Sequence, residues 1–216
     1  MIVVVCSGGP STEICNLVPY HETANVVFIG ADRGAYYLLE KGIVPHAIVG
    51  DFDSVTELEW QQLEEVVDNV EKFQAEKDET DTDLALLKAL TYNPSEIVLT
   101  GVTGGRLDHY EAALRSVCRL QLEYPAIRIK IVNTYNELRF LTPGTHDLDK
   151  HELFQYISFF AHNEHVDEVT LRGVKYETTA EPMALSSSRF TSNEIIADNA
   201  YIEFTSGICL MIRSVD

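Results

Sequence analysis

The strongest constraint on the fold is a pattern repeated through the first two-thirds of the chain. Short runs rich in valine and isoleucine each pass directly into a turn rich in glycine, serine or aspartate. Ile2-Val3-Val4-Val5 leads into Ser7-Gly8-Gly9-Pro10, and Val26-Val27-Phe28-Ile29 into Gly30-Ala31-Asp32-Arg33-Gly34. Ala47-Ile48-Val49 leads into Gly50-Asp51-Phe52-Asp53-Ser54, and Ile97-Val98-Leu99 into Gly101 to Arg106. Ile127 to Val132 adds a fifth run. Strands apolar at every position are buried on both faces, and strands separated by helices pair in parallel. The pattern therefore predicts an α/β fold with a mostly parallel sheet covered on both sides. A short helix should run to Lys41, where Gly42 stops it. An exposed acidic helix is expected over Thr56 to Lys72. Amphipathic helices are expected over Leu84 to Leu90 and Leu107 to Leu122, the last with Leu107, Tyr110, Leu114 and Val117 as its apolar positions.

The character changes at Pro143-Gly144. Leu153 to Phe160, Val166 to Leu171, Tyr201 to Phe204 and Ile208 to Ile212 are short, turn-bounded segments without helical periodicity. They predict a small antiparallel β domain. The expected division is residues 1–140 for the α/β domain and 141–216 for the β domain.

Composition narrows the partners. A formal net charge of −18 on 216 residues repels nucleic acid and anionic lipid, so neither is expected as a partner. A nucleoside triphosphate would be repelled too, unless a metal ion or a local cluster of basic residues intervenes. Cys6, Cys15, Cys118 and Cys209 form no C-x-x-C pair and sit in or near apolar runs, which reads as reduced, buried thiols. No apolar stretch approaches the ~20 residues that cross a bilayer. The strand-like start has no basic segment before it and is too short for a signal peptide, so a cytoplasmic protein is expected.

The turns that follow the strands carry the chemistry. In an open α/β sheet, ligands bind outside the carboxyl ends of the strands. Ser7-Gly8-Gly9, Asp32, Asp51, Asp53 and Thr103-Gly104-Gly105 should line one crevice suited to a nucleotide or phosphate. If its strand continues, Asp51 and Asp53 point to one face, where two carboxylates repel unless a cation sits between them or one is protonated. Mg²⁺ takes such oxygen ligands, and a simple turn is the alternative. Thr80 and Asp83 have the spacing of a capping box ahead of Leu84. Asp78 and Asp81 are not explained by that cap and exceed what a helix dipole needs. A calcium loop is excluded by the missing central glycine.

Glycines at 101, 104 and 105 let backbone N–H groups approach a phosphate or sugar, and Arg106 offers a fork of donors; a tight strand-to-helix turn is the alternative. No Walker A sequence occurs. His151-Glu152, His162 with His165, and Ser186-Ser187-Ser188 match neither zinc-protease nor serine-hydrolase patterns, and read as surface and loop residues.

Six segments in order resemble the thiamine pyrophosphokinase family. They are Ala31-Asp32-Arg33-Gly34-Ala35, Gly50-Asp51-Phe52-Asp53-Ser54, Lys77-Asp78-Glu79-Thr80-Asp81, Thr103-Gly104-Gly105-Arg106-Leu107-Asp108, Leu171-Arg172-Gly173-Val174-Lys175-Tyr176 and Thr191-Ser192-Asn193-Glu194. The resemblance implies an N-terminal ATP-binding α/β domain, a C-terminal β-sandwich, and a homodimer with thiamine near the subunit interface. It implies Mg²⁺ on Asp51, Asp53 and Asp81, with Asp78 joining them in the catalytic group. Asp32, Arg33, Gly104, Gly105, Arg106 and Asp108 fall on the nucleotide side, and Tyr176, Ser192 and Asn193 on the thiamine side. Position 176 is Tyr where some members carry Trp, and Glu177-Thr178 replaces a common Pro-Leu.

The implied reaction is attack of the thiamine hydroxyl on the β-phosphorus of ATP, releasing AMP. The rival readings are a Mg²⁺-dependent phosphohydrolase using water and a non-catalytic nucleotide sensor. Neither rival needs the Lys175-Tyr176 and Ser192-Asn193-Glu194 segments. Tyr176 itself reads either as a stacking face for thiamine or as a core residue of the β domain.

Overall fold

The computed structural model describes residues 1–53, 55–67 and 79–216, together with the backbone of 70–72. The chain forms two compact units, Met1–Thr134 and Tyr135–Asp216.

In chain order the first unit contains β1 (Ile2–Cys6), a 3-10 turn (Ser11–Glu13), α1 (Val18–His21), β2 (Val26–Ala31), α2 (Gly34–Glu40) and β3 (Ala47–Gly50). It continues with α3 (Glu57–Glu64), β4 (Val70–Lys72), α4 (Asp81–Leu90), β5 (Glu96–Thr100), α5 (Leu107–Glu123) and β6 (Arg128–Val132). The strands pair in parallel in the order β6-β5-β1-β2-β3-β4. Val3 to Cys6 and Ile97 to Leu99 are fully buried, as residues covered on both faces must be. On one face Val4, Phe28 and Val98 pack with Leu38, Ile14 and Cys15. Ile48 packs with Ala35, Leu63 and Phe52.

Local signals set the helix ends. Lys41 follows α2, and Gly42 takes a left-handed φ of 74° that ends it. α4 starts with the expected capping box: the Thr80 hydroxyl accepts from Asp83 N, and the Asp83 carboxylate accepts from Thr80 N. α5 buries Leu114 and Val117, whereas Leu107, in the first turn beside the strand carboxyl ends, is exposed. The expected long helix over Thr56 to Lys72 is corrected. α3 ends at Glu64, and β4 then pairs alongside β3. Glu64 and Glu65 oppose the helix dipole at the C-terminus, and Val66, Val67 and Val70 are β-branched, so the helix gains little by continuing.

The second unit is all β: β7 (Asn136–Leu141), β8 (Gly144–Leu148), β9 (Tyr156–Ala161), β10 (Val166–Arg172), β11 (Thr178–Met183), β12 (Asn193–Glu194), β13 (Ala200–Phe204) and β14 (Cys209–Ser214). Antiparallel pairing gives two sheets, β12-β9-β14-β7 and β11-β10-β13-β8. Ile157, Phe159 and Met211 of the first meet Val169, Leu171, Ile202 and Phe204 of the second in one core, which makes a sandwich. The division falls between Thr134 and Tyr135, earlier than the expected 140/141, because β7 pairs with β14 along its whole length. Glu137 sits directly opposite Arg213 in that pairing, with their charged atoms 3.7 Å apart. β11 carries Pro182 and lies at a sheet edge, where a missing N–H is tolerated.

All four cysteines are free and buried. Among the described residues no helix is long and apolar enough to cross a membrane.

The cap at α4 also ties two helices together, because the Asp83 carboxylate accepts from the Ser116 hydroxyl on α5. We predict that Asp83→Ala lowers unfolding free energy by about 2 kcal/mol, the sum of a lost cap and a lost hydrogen bond. Ser116→Ala should cost about half of that. Urea melts of both variants test this; a selective loss of Mg²⁺ affinity in Asp83→Ala with unchanged stability would overturn the capping role.

Candidate active site

The order of the parallel strands fixes where a ligand can enter. The chain fills the sheet from β1 through β4 in one direction, then returns to place β5 on the other side of β1. The order of the strands therefore reverses between β1 and β5, and a ligand crevice is expected at the carboxyl ends there. Ser7 N donates to Thr100 O at 2.9 Å and Gly9 N to Gly101 O at 2.8 Å, which bring the two loops into contact. A Cβ on Gly9 would lie 2.4 Å from the Gly101 oxygen, so only glycine permits the approach. The resulting cleft has a volume of ≈ 410 Å³ and is lined by Ser7 to Pro10, Asp32, Tyr37, Thr80 to Thr82, Thr103, Gly105, Arg106 and His109.

Carboxylates gather at this cleft. Asp32, Asp51 and Asp81 each offer an oxygen, and these oxygens lie within 4.8 Å of one another. Asp32 takes a left-handed φ of 48°, with its N–H bonded to Val49 O at 2.9 Å. Its Oδ1 accepts from Phe52 N at 3.3 Å. That same oxygen lies 2.3 Å from where a Cβ on Gly50 would stand, so residue 50 must be glycine. β3 ends there, Phe52 is left-handed at 62°, and Asp53 N donates to Asp51 Oδ1 at 3.0 Å in a turn. Strand continuation through Asp53 is thus corrected: the glycine and the turn break the two-residue alternation. Asp53 is exposed beside the cluster, and Asp32 takes a place within it that the sequence pattern did not assign. Asp78 lies outside the described residues.

The electrostatics suit a divalent cation. Burial, and then the Asp81 charge, push the Asp32 carboxyl up to about 7. Burial raises Asp81 as well. Asp81 Oδ1 is buried without a hydrogen-bond partner among the described residues. Three crowded carboxylates and an unsatisfied oxygen match the hard oxygen set that Mg²⁺ prefers. Asp81 is also the first residue of α4, whose N-terminal N–H groups face anionic ligands favourably.

On the far side of the cleft, Asn133 holds the loop after β5. Its Nδ2 donates to Thr103 Oγ1 at 2.8 Å and to Glu13 Oε2 at 3.1 Å. Arg106 lines the cleft and forks onto Asp108 at 3.1 and 2.6 Å, pulling that carboxyl down to about 2. Asp108 therefore aims Arg106. Gly104 lies in the loop with φ 76° but does not line the cleft. Arg33 Nη2 donates to Glu59 Oε1 at 2.5 Å, and its guanidinium stands 6.0 Å from the ring centre of the cleft-lining Tyr37. Sequence reasoning missed Tyr37, Thr82, His109, Asn133 and Glu13. Thr82 bonds Ser7 at 3.0 Å and lay within a motif already singled out; Asn133 carries no local signal, because its partners are distant in sequence.

In the second unit, Tyr176 and Asn193 form a reciprocal pair. Tyr176 N donates to Asn193 Oδ1 at 3.0 Å, and Asn193 Nδ2 donates to Tyr176 O at 2.9 Å. Asn193 is buried and its amide is used in this way, so it shapes the Tyr176 backbone. Tyr176 is 61% exposed, which removes the core reading. Lys175 Nζ lies 5.7 Å from the Tyr176 ring centre and pairs with Glu194 at 2.6 Å. Ser192 is left-handed at 54°, with its N–H bonded to Ser158 Oγ at 2.9 Å.

Comparison with known proteins is consistent across the chain. Residues 20–131 match the family model for the thiamin pyrophosphokinase catalytic domain, and residues 145–209 the model for its vitamin B1 binding domain. A thiamine pyrophosphokinase of Bacillus subtilis (strain 168) is 38% identical over 216 residues, covering 98% of each protein. The crystal structure of a thiamine pyrophosphokinase from Bacillus subtilis superposes with a TM-score of 0.94 at 36% identity, covering 100% of both chains. That of thiamin pyrophosphokinase from Geobacillus thermodenitrificans gives 0.90 at 34% identity, covering 100% of this chain and 98% of the other. Both halves, matched in order and over nearly the full length, show that the chain belongs to the thiamin pyrophosphokinase family of enzymes.

Proposed function

We propose that the chain transfers a pyrophosphoryl group from ATP to the hydroxyl of thiamine, giving thiamine diphosphate and AMP. The observation that carries this reading is the triad of crowded carboxylates beside a glycine-lined cleft at the sheet's switch point. Asp51 and Asp81 would hold Mg²⁺ together with Asp32, and Asp53 would add a carboxylate from the same exposed turn. The metal supplies charge neutralisation for the polyphosphate, which the acidic surface would otherwise repel. Backbone N–H groups of the Thr103 to Gly105 loop that face the cleft, Gly105 among them, and the N-terminus of α4 donate to phosphate oxygens, and Arg106, aimed by Asp108, adds a fork of donors. Positioning and electrostatics do most of the work in phosphoryl-type transfers, so no covalent intermediate with the protein is required.

The thiamine side rests on Tyr176. An exposed ring, fixed through its backbone by Asn193, suits stacking on the cationic thiazolium of thiamine. Ser192, strained at positive φ beside it, is the second group of this patch. The functional form is a homodimer, supported by exposed Leu153, Tyr176, Leu185 and Ile196 on a β unit too small for a large core of its own.

The direct test is AMP release. We expect it only when thiamine, ATP and Mg²⁺ are all present; release without thiamine would point to a phosphohydrolase, and no turnover to a sensor. In the same assay Asp32→Asn, Asp51→Asn, Asp53→Asn and Asp81→Asn should each lose about 10²-fold or more in rate while remaining folded. Near wild-type turnover in one of them at saturating Mg²⁺ removes that residue from the set.

Tyr176→Ala should raise the thiamine KM roughly 5- to 30-fold, with the ATP KM and Tm unchanged, and Tyr176→Trp should keep thiamine binding. A sharp fall in Tm with an unchanged thiamine KM would assign the ring to packing. Light scattering at micromolar concentration should give twice the mass of one chain; a fully active monomer would contradict the dimer.

A further inference from the structure

The Arg33 guanidinium meets Glu59. Glu59 is the third residue of α3 and its side chain is 12% exposed. Its two oxygens divide between two loops. Oε2 accepts from Thr56 N at 2.8 Å and from the Thr56 hydroxyl at 2.9 Å. Oε1 accepts from Arg33 Nη2 at 2.5 Å. Thr56 ends the loop that carries Asp51, while Arg33 directly follows Asp32. One carboxylate therefore joins the segments bearing two members of the acidic cluster.

Other contacts leave those segments few alternatives. Phe52 is buried against the Trp60 ring, with centroids 4.7 Å apart, so the Asp51 loop is anchored to α3 from inside as well. Asp32 and Phe52 both sit at positive φ, which the surroundings must enforce. A capping box needs only Thr56 and Glu59; the added Arg33 contact gives this one a tertiary role.

We infer that Glu59 and Arg33 are positioning residues that fix the spacing of Asp32 and Asp51, and so set the affinity of the site for a divalent cation. The inference rests on the reading that Asp32, Asp51 and Asp81 hold such a cation. Partners that orient metal ligands from outside typically change metal affinity by 10- to 100-fold when removed.

Electrostatics and positioning predict different signs, which makes the idea testable. Removing the Arg33 charge strips a cation from the neighbourhood and by charge alone would tighten metal binding. Removing the Glu59 charge strips an anion from the same neighbourhood and by charge alone would weaken it. A brace predicts weakening in both cases. The experiment is a titration of the substrate-free protein with Mn²⁺, followed by electron paramagnetic resonance of the free ion, on wild type, Arg33→Met, Glu59→Gln and the double variant. Both single variants should bind Mn²⁺ roughly 10-fold more weakly, and the double variant should be no weaker than the poorer single, since both break one linkage. Arg33→Lys, which keeps the charge and loses the planar fork, should weaken binding in the same direction and covers the case in which a harsher variant fails to fold. Opposite shifts for Arg33→Met and Glu59→Gln, or wild-type affinity in folded variants, overturn the brace. A wild-type protein that binds no Mn²⁺ at the site overturns the metal reading itself, and the brace with it.

Discussion

Asp32, Asp51 and Asp81 bring oxygens within 4.8 Å of one another, and like charges at that range in a partly buried site resist being ionised together. The first unit is arranged around that resistance. Gly50 clears space for an Asp32 oxygen, Phe52 N–H receives it, and Asp32 itself bends into a left-handed conformation to reach it. Each of these features costs stability by itself: a glycine in a strand, a phenylalanine and an aspartate at positive φ. Their concentration at one point is what the proposed cation site requires, since a divalent ion there would offset the repulsion among the carboxylates.

The same constraint reconciles the surface charge with the chemistry. A chain with a net charge of −18 is a poor partner for a polyphosphate at long range. At the cleft the balance differs locally. In the proposed function a metal would neutralise the carboxylates there, α4 begins at the cleft, and Asn133 steadies the loop after β5. The acidic field then favours a cationic co-substrate, and thiamine carries a fixed positive charge.

The second unit solves a different problem, that of holding an aromatic side chain in the open. An exposed tyrosine gains nothing from burial, so its position is set through the backbone. Asn193 does this from a buried site two strands removed in sequence, using both ends of its amide on Tyr176. Lys175, drawn onto Glu194, holds its ammonium over the ring, 5.7 Å from its centre.

Much of this was legible in the sequence. Uninterrupted apolar runs such as Val3 to Val5 and Ile97 to Leu99 dictate a parallel sheet because both faces must be covered, and turn residues after each strand mark the ligand-binding edge. The Thr80–Asp83 cap is local and was readable for the same reason. β7 escaped notice because Glu137 and Arg139 interrupt its apolar run, and a buried Glu137 makes sense only opposite Arg213 of β14. The long helix expected after Thr56 failed because β4 gains its stability from β3, a partner outside any sequence window. The sequence determined which residue types could bind metal, phosphate and an aromatic cation. Only the tertiary structure decided that Asp32 stands within the acidic cluster, that Arg33 meets Glu59, and that Asn133 steadies the loop after β5. Those choices depend on through-space distances between segments far apart in the chain, and local propensity carries no information about them.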